Sequence, residues 1–292
     1  MTEVRSRRGL FVGLVTLDLI YLSDSLPEPN QKQVALDYTL AAGGPATNAA
    51  VTFSYLNSLY PSARLIGVIG QHPLGQLVWA DLQRWQVMVT DLQPTYSEPL
   101  PTSSIVVTRS TGERAVISLN ATRSPASPEQ IPADVLQGVS VVLIDGHQMA
   151  VGAAIARQAR AQQIPVVVDG GSWKPNFEHV LHHTDYALCS ADFYPPGCQT
   201  PSDVIAYLRG LGIAHIAITR GEQPIDWISP EGRGSLPVPS IQPVDTLGAG
   251  DIFHGAFCHF LPSCPFPEAL AQAAAVAARS CQSFGTRRWM QL

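Results

Sequence analysis

The second half of this chain alternates short apolar runs with longer runs of helical spacing, and this alternation constrains the fold most. The short runs predict buried strands at residues 141–144, 165–168, 186–189 and 215–219. The longer amphipathic runs predict helices between these strands, at residues 150–162 and 202–211. Repeated β–α units of this length predict an α/β fold with a mostly parallel sheet and helices on both of its faces.

The first half differs, because several of its strand-like runs are polar. Apolar runs predict strands at 10–16 and 64–69, and helical spacing predicts helices at 46–56 and 74–85. Two β-rich runs, 103–108 and 113–119, flank a Ser-Thr-Gly turn and predict a hairpin, while 33–40 alternates weakly as an exposed strand does. The polar strands predict a small separate β layer that acts as a lid.

The end of the chain completes the predicted architecture. Residues 225–228 and 234–238 predict an antiparallel hairpin at the sheet edge, and residues 249–261 and 267–283 predict two closing helices. A length of 292 residues allows one large α/β domain with a small appendage, or two domains.

Composition excludes several classes of function. The net charge is −5 and the only basic cluster is at residues 5–8, so nucleic-acid binding is not indicated. No apolar run reaches the length of a membrane span, and Asp18 interrupts the run at 10–22 that a signal peptide would need. Five cysteines without metal-ligand spacing are typical of reduced thiols, which predicts a cytoplasmic protein. A charged fraction of only 14% suggests that another subunit covers part of the surface.

A small-residue turn before a helix carries the strongest chemical signal. Residues 244–251 read VDTLGAGD, and an apolar, helix-compatible run follows. Free N–H groups and the dipole of a helix N-terminus favour an anion, and Gly248, Ala249 and Gly250 let a phosphate approach the backbone closely. Asp251 beside such a phosphate is explained as a general base that takes the proton of an attacking hydroxyl. The turn therefore indicates phosphoryl transfer to an alcohol.

A plain interpretation of the same turn stays open at this point. Many glycine-rich loops lead into a helix through an aspartate N-cap, and a short glycine pattern is a weak signal. The turn lacks the Gly-Lys-Ser/Thr of a Walker loop, and no strand leads into a dinucleotide fingerprint.

Several other chemically active residues follow predicted strands or lie in strand-to-helix turns. These are Asp18, Gly43, Gly44, Asp145, Asp169, Thr219, Arg220 and Gly221. Ligands of open α/β sheets bind beyond the carboxyl ends of the strands, so we expect these residues near the Gly248–Asp251 turn. Asp145 and Asp169 each fit a helix cap or a contact to sugar or magnesium, and capping is favoured for Asp169.

The motifs together resemble those of the ribokinase-like (PfkB) family of carbohydrate kinases. VDTLGAGD is similar to the family's C-terminal signature, and GGPATNAA at 43–50 resembles its N-terminal Gly-Gly-x-x-x-Asn motif. GLVTLD at 13–18 is similar to the first strand with its substrate-binding aspartate, and GQHPLG at 70–75 resembles a Gly-x-Asp-x-x-Gly segment. The motifs keep the family's order and spacing over nearly the whole chain. Residues 112–114 and 251–255 resemble most the branch that holds ketohexokinase and sulfofructose kinase.

The resemblance implies one kinase domain over residues 1–292, with a Rossmann-like α/β/α core and a β-sheet lid formed by about 19–42 and 101–119. It implies ATP as the donor, Mg²⁺ as a helper, Asp251 as the catalytic base, and the backbone of Leu247, Gly248, Ala249 and Gly250 as the anion hole. The sugar contacts implied are Asp18, Gly43, Gly44 and Asn48. Arg114 of the predicted lid hairpin is open to a contact with an acidic substrate group or to a cross-strand partner. The nucleotide contacts implied are Thr219, Gly221, Leu247, Gly248, Gly250 and Ser283. Asp245 is implied either to cap its loop or to help a monovalent cation site such as K⁺.

The chain departs from the family pattern on the metal and nucleotide sides. The family's Asn-x-x-Glu should fall near 190–193, which reads SADF, so the magnesium ligands stay unassigned. Pro224 replaces a glycine of the nucleotide loop and removes an N–H donor. His72 stands where the family has aspartate and is interpreted as a surface residue. Arg220 is open to a phosphate contact or to a solvated position.

The sequence therefore predicts an ATP-dependent kinase acting on a hydroxyl of a sugar or sugar-like molecule. Two alternatives stay open: a nucleoside kinase of the same family, and a weakly catalytic sensor that binds sugar or nucleotide. The predicted partners are a small sugar substrate and a second copy of the chain paired through the lid, with no nucleic acid and no membrane.

Overall fold

A computed structural model describes residues 8–57, 61–119 and 125–291. Residues 5–7, which hold most of the basic cluster, lie outside these ranges. The strands are β1 (Gly9–Val12), β2 (Thr16–Ser23), β3 (Asp37–Gly43), β4 (Ala63–Gly67), β5 (Met88–Asp91), β6 (Thr102–Thr108), β7 (Arg114–Ser118), β8 (Val141–Ile144), β9 (Val166–Gly170), β10 (Tyr186–Ser190), β11 (His215–Arg220), β12 (Gln223–Ser229) and β13 (Gly232–Leu236). The helices are α1 (Pro45–Leu56), α2 (Gly75–Arg84), α3 (Met149–Ala161), α4 (Glu178–Leu181), α5 (Pro201–Gly210), α6 (Ala249–Phe260) and α7 (Phe266–Ser280).

The large sheet has nine strands in the order β13-β12-β11-β10-β9-β8-β1-β4-β5. Its neighbouring strands are parallel from β11 to β5, and β12 and β13 add an antiparallel hairpin at one edge. The predicted mostly parallel sheet with an edge hairpin is therefore confirmed.

Helices cover both faces of this sheet. Alternate side chains of β1 point to opposite faces, so Phe11 belongs to one buried cluster and Leu10 to the other. The first cluster receives the apolar sides of α1, α2, α6 and α7, and the second those of α3, α4 and α5. The three-layer α/β/α arrangement predicted from the sequence is confirmed.

The small sheet has four strands in the order β3-β2-β6-β7. Ile20, Ile105 and Val107 on its inner face pack against Phe284, which anchors the sheet to the segment after α7. The second, smaller β-sheet expected from the polar strands is present.

The single strand predicted at 10–16 is wrong. β1 ends at Val12 and β2 begins at Thr16, and the two strands belong to different sheets. The break has a physical cause at Gly13, where a Cβ would lie 2.0 Å from the Asp145 carboxyl group, and the next N–H, of Leu14, donates to that carboxylate. The strand predicted at 33–40 begins later, at Asp37, and β5 was not predicted.

Among the described residues no helix combines the length and the apolar composition that crossing a membrane requires.

Candidate active site

The site lies where the strand order of the large sheet reverses. The chain continues from β1 to β4 on one side and returns to β8 on the other side of β1. Open α/β sheets bind ligands at such a switch point. The carboxyl ends of β1, β8 and β9 bring Gly13, Asp145 and Asp169 to this edge, and α6 begins there at Ala249.

The turn before α6 is held by Asp245. Its Oδ1 accepts the Leu247 N–H at 2.8 Å and its Oδ2 accepts the Gly285 N–H at 2.8 Å. Burial raises the pKa of the Asp245 carboxyl, while these two N–H donors oppose that rise. Of the two roles predicted for Asp245, the geometry supports the loop cap.

Gly248 is the N-cap of α6, in the left-handed region with φ of 70°. A Cβ there would lie 2.9 Å from the Thr286 Cγ2, and L side chains rarely adopt this conformation, so the turn requires glycine. Within the described part of the chain no side chain caps the helix. An aspartate N-cap is excluded, because Asp251 lies inside the first turn.

Only part of the backbone predicted for the anion hole is available. The Leu247 N–H already donates to Asp245, and the Ala249 N–H donates to the Thr246 carbonyl at 3.3 Å. This corrects the expectation for Leu247 and Ala249, whose N–H groups are both occupied in this conformation. The N–H groups of Gly248 and Gly250 stay available to an anion, together with the helix dipole.

Asp251 lies at the centre of a hydrogen-bonded network. Its Oδ2 accepts from the Asn48 Nδ2 at 2.8 Å, and the Asn48 Oδ1 accepts from the Arg287 Nη1 at 2.8 Å. Burial and the neighbouring Asp169 raise the pKa of the Asp251 carboxyl to about 7. A carboxylate with a pKa near neutrality suits a general base, since it is ionised when needed and still binds a proton well.

The residues predicted to contact sugar lie together beside this network. Asp18 is buried on β2, its Oδ1 accepts from the Thr16 Oγ1 at 2.7 Å, and burial raises the pKa of its carboxyl. A Cβ on Gly43 would lie 1.9 Å from the Asp18 carboxylate. Gly44 has φ of 100°, and a Cβ there would lie 2.3 Å from the Leu14 carbonyl oxygen. The two glycines therefore permit a close approach of β2, β3 and α1.

Arg287 is a site residue that the sequence analysis missed. Its buried guanidinium donates to the Asn48 Oδ1, to the Ala42 carbonyl at 2.5 Å and to the Asp81 Oδ2 at 3.2 Å. It joins the end of the chain to α1, β3 and α2. No local motif surrounds Arg287, and its partner Asn48 is 239 positions away, so only the fold identifies it.

Asp145 and Asp169 have different roles. Asp145 accepts the N–H groups of Leu14, Ala46 and His147, so it caps α1 from a distance. Burial alone would raise its pKa, but His147 and these donors hold the pKa of Asp145 down to about 2. The prediction that Asp169 caps a helix is wrong. Its Oδ2 lies 3.4 Å from the His254 Nδ1 of α6, and the next helix along the chain, α4, begins after Phe177.

On the predicted nucleotide side, Gly221 turns the chain between β11 and β12 with φ of 60°. The Thr219 Oγ1 lies 3.4 Å from the Cys189 carbonyl, and the Ser283 Oγ is buried with no hydrogen-bond partner among the described residues. The Arg220 Nη2 is paired with the Asp226 Oδ2 at 2.6 Å, and the side chain stays partly exposed, so a phosphate contact by Arg220 stays a prediction.

Arg114 connects the small sheet to the turn before α6. Its Nη1 donates to the Thr246 Oγ1 at 3.0 Å. A cavity of about 650 Å³ opens here, lined by Leu26, Thr108, Glu113, Arg114, Val116 and Thr246. It is large enough for a sugar-sized ligand.

The magnesium ligands stay unassigned. Among the described residues no three His, Cys, Asp or Glu side chains gather around a common point, and Mg²⁺ in kinases commonly takes only one or two carboxylates. In the segment where the family motif should fall, the Ser190 Oγ donates to the Gly171 carbonyl and Asp192 is exposed. The interpretation of His72 as a surface residue is confirmed only in part, because the residue is half-buried and its Nδ1 accepts the Leu74 N–H.

Comparison with known proteins agrees with this architecture. The pfkB family carbohydrate kinase pattern matches residues 7–291, so the chain belongs to that family. It is 22% identical to a ribokinase of Bacillus subtilis, over 84% of this chain and 83% of the relative. It is 24% identical to a mouse ketohexokinase, over 95% of this chain and 97% of the relative. A structure of Arabidopsis thaliana ribokinase with ribose and ATP superposes with a TM-score of 0.74 and 19% identity, covering 98% of this chain and 99% of the other.

These relatives do not separate the branches of the family, because ribokinase and ketohexokinase have similar identities to this chain. The nearness to the ketohexokinase and sulfofructose kinase branch stays a prediction.

Proposed function

We propose that this protein transfers the γ-phosphoryl group of ATP to a hydroxyl of a sugar or sugar-like small molecule. The observation that carries the proposal is the position of Asp251, one turn inside a helix N-terminus without a side-chain cap and hydrogen-bonded to Asn48. Membership of the pfkB family and the neighbour that binds ribose and ATP support the same reaction class.

In the proposed reaction, Asp18 and Asn48 hold sugar hydroxyls beside Asp251. Asp251 takes the proton of one hydroxyl, whose oxygen forms the new bond to the γ-phosphorus as the bond to the β-phosphate oxygen breaks and ADP leaves. The N–H groups of Gly248 and Gly250 and the dipole of α6 stabilise charge on the transferred group. Thr219, Gly221 and Ser283 contact the nucleotide.

No step of the proposed reaction depends on a protein residue that binds a metal ion. Magnesium in kinases is held largely by nucleotide phosphates and water, so it would enter with ATP, and the described residues form no cage for it. A monovalent cation at Asp245 stays a prediction; each carboxylate oxygen accepts one backbone N–H and keeps a lone pair. A cytoplasmic location stays a prediction.

The substrate class can be read from ADP release in the presence of Mg-ATP. The panel should hold ketoses, aldoses, sugar acids, sulfosugars and nucleosides. We expect turnover with one sugar class and none with nucleosides; a preference for acidic sugars would support the Arg114 contact. Turnover only with nucleosides would support the alternative nucleoside kinase, and ligand binding without any turnover would support the sensor.

Substitution of Gly43 by Ala should weaken sugar binding selectively. A Cβ at this position would displace the Asp18 carboxylate, which lies 1.9 Å from it. We expect the KM for sugar to rise at least about tenfold, the typical cost of a misplaced hydrogen-bonding partner, with the KM for ATP nearly unchanged. Gly210→Ala is the matched control, since nothing lies within 4 Å of a Cβ there. Equal sugar KM values in the two variants would contradict the placement of Asp18.

The rate should fall on acidification through about pH 7. The pKa of Asp251 is raised to about 7 by burial and by Asp169, and a base works only when ionised. Activity is therefore expected above this pH and lost below it, one proton per site. A pH profile of kcat/KM measures this limb. A profile flat from pH 5 to about 8 would mean that Asp251 does not act as the base.

We also propose a homodimer formed through the outer face of the small sheet. Strand pairing places Leu19, Tyr21, Tyr38, Leu40 and Ile117 on this face. Tyr38 is 62% exposed and Ile117 is 80% exposed, which is unusual for large apolar side chains grouped on one sheet face.

Sedimentation velocity tests the dimer at micromolar concentration. We expect the native chain to sediment as a dimer and Ile117→Lys as a monomer. Tyr194→Lys is the control, because Tyr194 is exposed in the segment after β10 of the large sheet. A native chain that sediments as a monomer would refute the proposed interface.

A further inference from the structure

His254 lies on α6, one turn after Asp251, and is buried with a relative exposure of 6%. Its Nε2 lies 3.3 Å from the Leu188 carbonyl oxygen of β10. Its Nδ1 lies 3.4 Å from the Asp169 Oδ2 and makes no hydrogen bond within the described residues. Asp169 is itself 5% exposed.

Both ring nitrogens therefore face acceptor oxygens. A carbonyl oxygen only accepts, so Nε2 carries a hydrogen. A neutral ring would then direct the lone pair of Nδ1 at a carboxylate, which is repulsive in a buried site. One additional proton removes the repulsion, by making His254 an imidazolium or Asp169 a carboxylic acid. In either form the pair has no net charge.

We infer that the His254–Asp169 pair is a positioning element of the active site, in which a proton shared by the pair compensates part of the negative charge that the buried Asp169 places beside Asp251. This inference rests on the proposed role of Asp251 as the base. The surroundings of Asp251 support it, because Asp169 raises the pKa of Asp251 while His254 lowers it.

The charged groups around the pair come from several elements. Asp145 after β8 also raises the pKa of Asp251, but its effect is smaller than that of Asp169. Arg287 lies behind Asn48, one side chain away from Asp251. The Cys189 thiol of β10 is buried, and burial and Asp169 raise its pKa, so it adds no charge. The compensation of Asp169 therefore falls to His254.

The test is a double-mutant cycle with two readouts. The pKa of Asp251 is measured by ¹³C NMR titration of aspartate-labelled protein, with Asp251→Asn assigning the signal, and the acid limb of kcat/KM is measured in parallel. We expect His254→Asn to raise both by about one unit, since it leaves Asp169 uncompensated. Asp169→Asn, alone or combined with His254→Asn, should bring both to the native values or below them, because the negative charge that raises the pKa of Asp251 is gone. His254→Gln serves as a second variant where Asn perturbs folding.

The outcomes separate the role of the His254–Asp169 pair from the role of Asp251 as the base. A shift in His254→Asn that persists in the double variant, or no shift in either, would overturn the role of the pair. If the titration of Asp251 moves as expected but the acid limb of the rate does not, the inference about charge holds and the assignment of Asp251 as the base fails.

Discussion

Substitution of Asp251 by Asn is expected to slow phosphoryl transfer by about 10²–10⁴-fold, the usual contribution of a general base. Asparagine keeps the size of the side chain and an oxygen that can accept from the Asn48 Nδ2, which lies 2.8 Å from Asp251. It cannot take a proton from the attacking hydroxyl. Sugar and ATP should therefore bind nearly as in the native protein, and the loss should appear in kcat.

Single-turnover kinetics with calorimetric binding of ATP measures this split between kcat and affinity. Asp134→Asn is the matched control, because Asp134 is exposed and precedes β8. It therefore lies toward the amino end of that strand, whereas the active site lies at the carboxyl end. Native turnover in Asp251→Asn would rule out the mechanism. Loss of ATP binding instead of turnover would place Asp251 in the nucleotide site.

Substitution of Arg287 by Met should cause the largest loss of stability. Its guanidinium is buried and donates to Asp81, Asn48 and the Ala42 carbonyl, so methionine leaves these acceptors without their cation. Breaking such a buried pair costs about 3–5 kcal/mol of the free energy of unfolding. The Asn48 side chain also loses a partner, so we expect a smaller secondary fall in kcat.

Urea denaturation measures the free energy of unfolding of Arg287→Met and of Arg288→Met, which replaces the adjacent arginine. Arg288 forms an ion pair with Asp37 at 2.7 Å, but both side chains are substantially exposed, so solvent screens the pair. We expect the midpoint of Arg288→Met to stay close to the native value. Equal losses in both variants would mean that the buried network around Arg287 does not stabilise the fold.

Periodicity in the sequence was sufficient for the architecture. The strands β8 to β11 and the helices α3 and α5 follow from local hydrophobic patterns, because each parallel strand is buried on both faces. The short helix α4 was not predicted. The run at 10–16 gave the wrong prediction of one continuous strand, because a local pattern does not show where the chain passes to another sheet. All its residues are apolar or small, and the change of sheet at Gly13 depends on the carboxylate of Asp145, which is 131 positions away from Leu14.

The site was predictable where one motif holds the chemistry and not where distant residues meet. The turn at Gly248 and the glycines at 43 and 44 could be predicted, since close approaches and left-handed backbone require glycine. Arg287, the Asp169–His254 pair and the Arg220–Asp226 pair could not, because their partners are set by how the elements pack.

The most direct test of the central claim follows the phosphoryl group itself. The protein is incubated with Mg-ATP labelled in its γ-phosphate and with each member of the sugar panel, and the products are separated. We predict that the label moves to one sugar class in equal amount with ADP, and that it stays on ATP with Asp251→Asn. Release of the label only as inorganic phosphate, or retention on ATP with every sugar although ATP binds, would contradict the assignment of this protein as a sugar kinase.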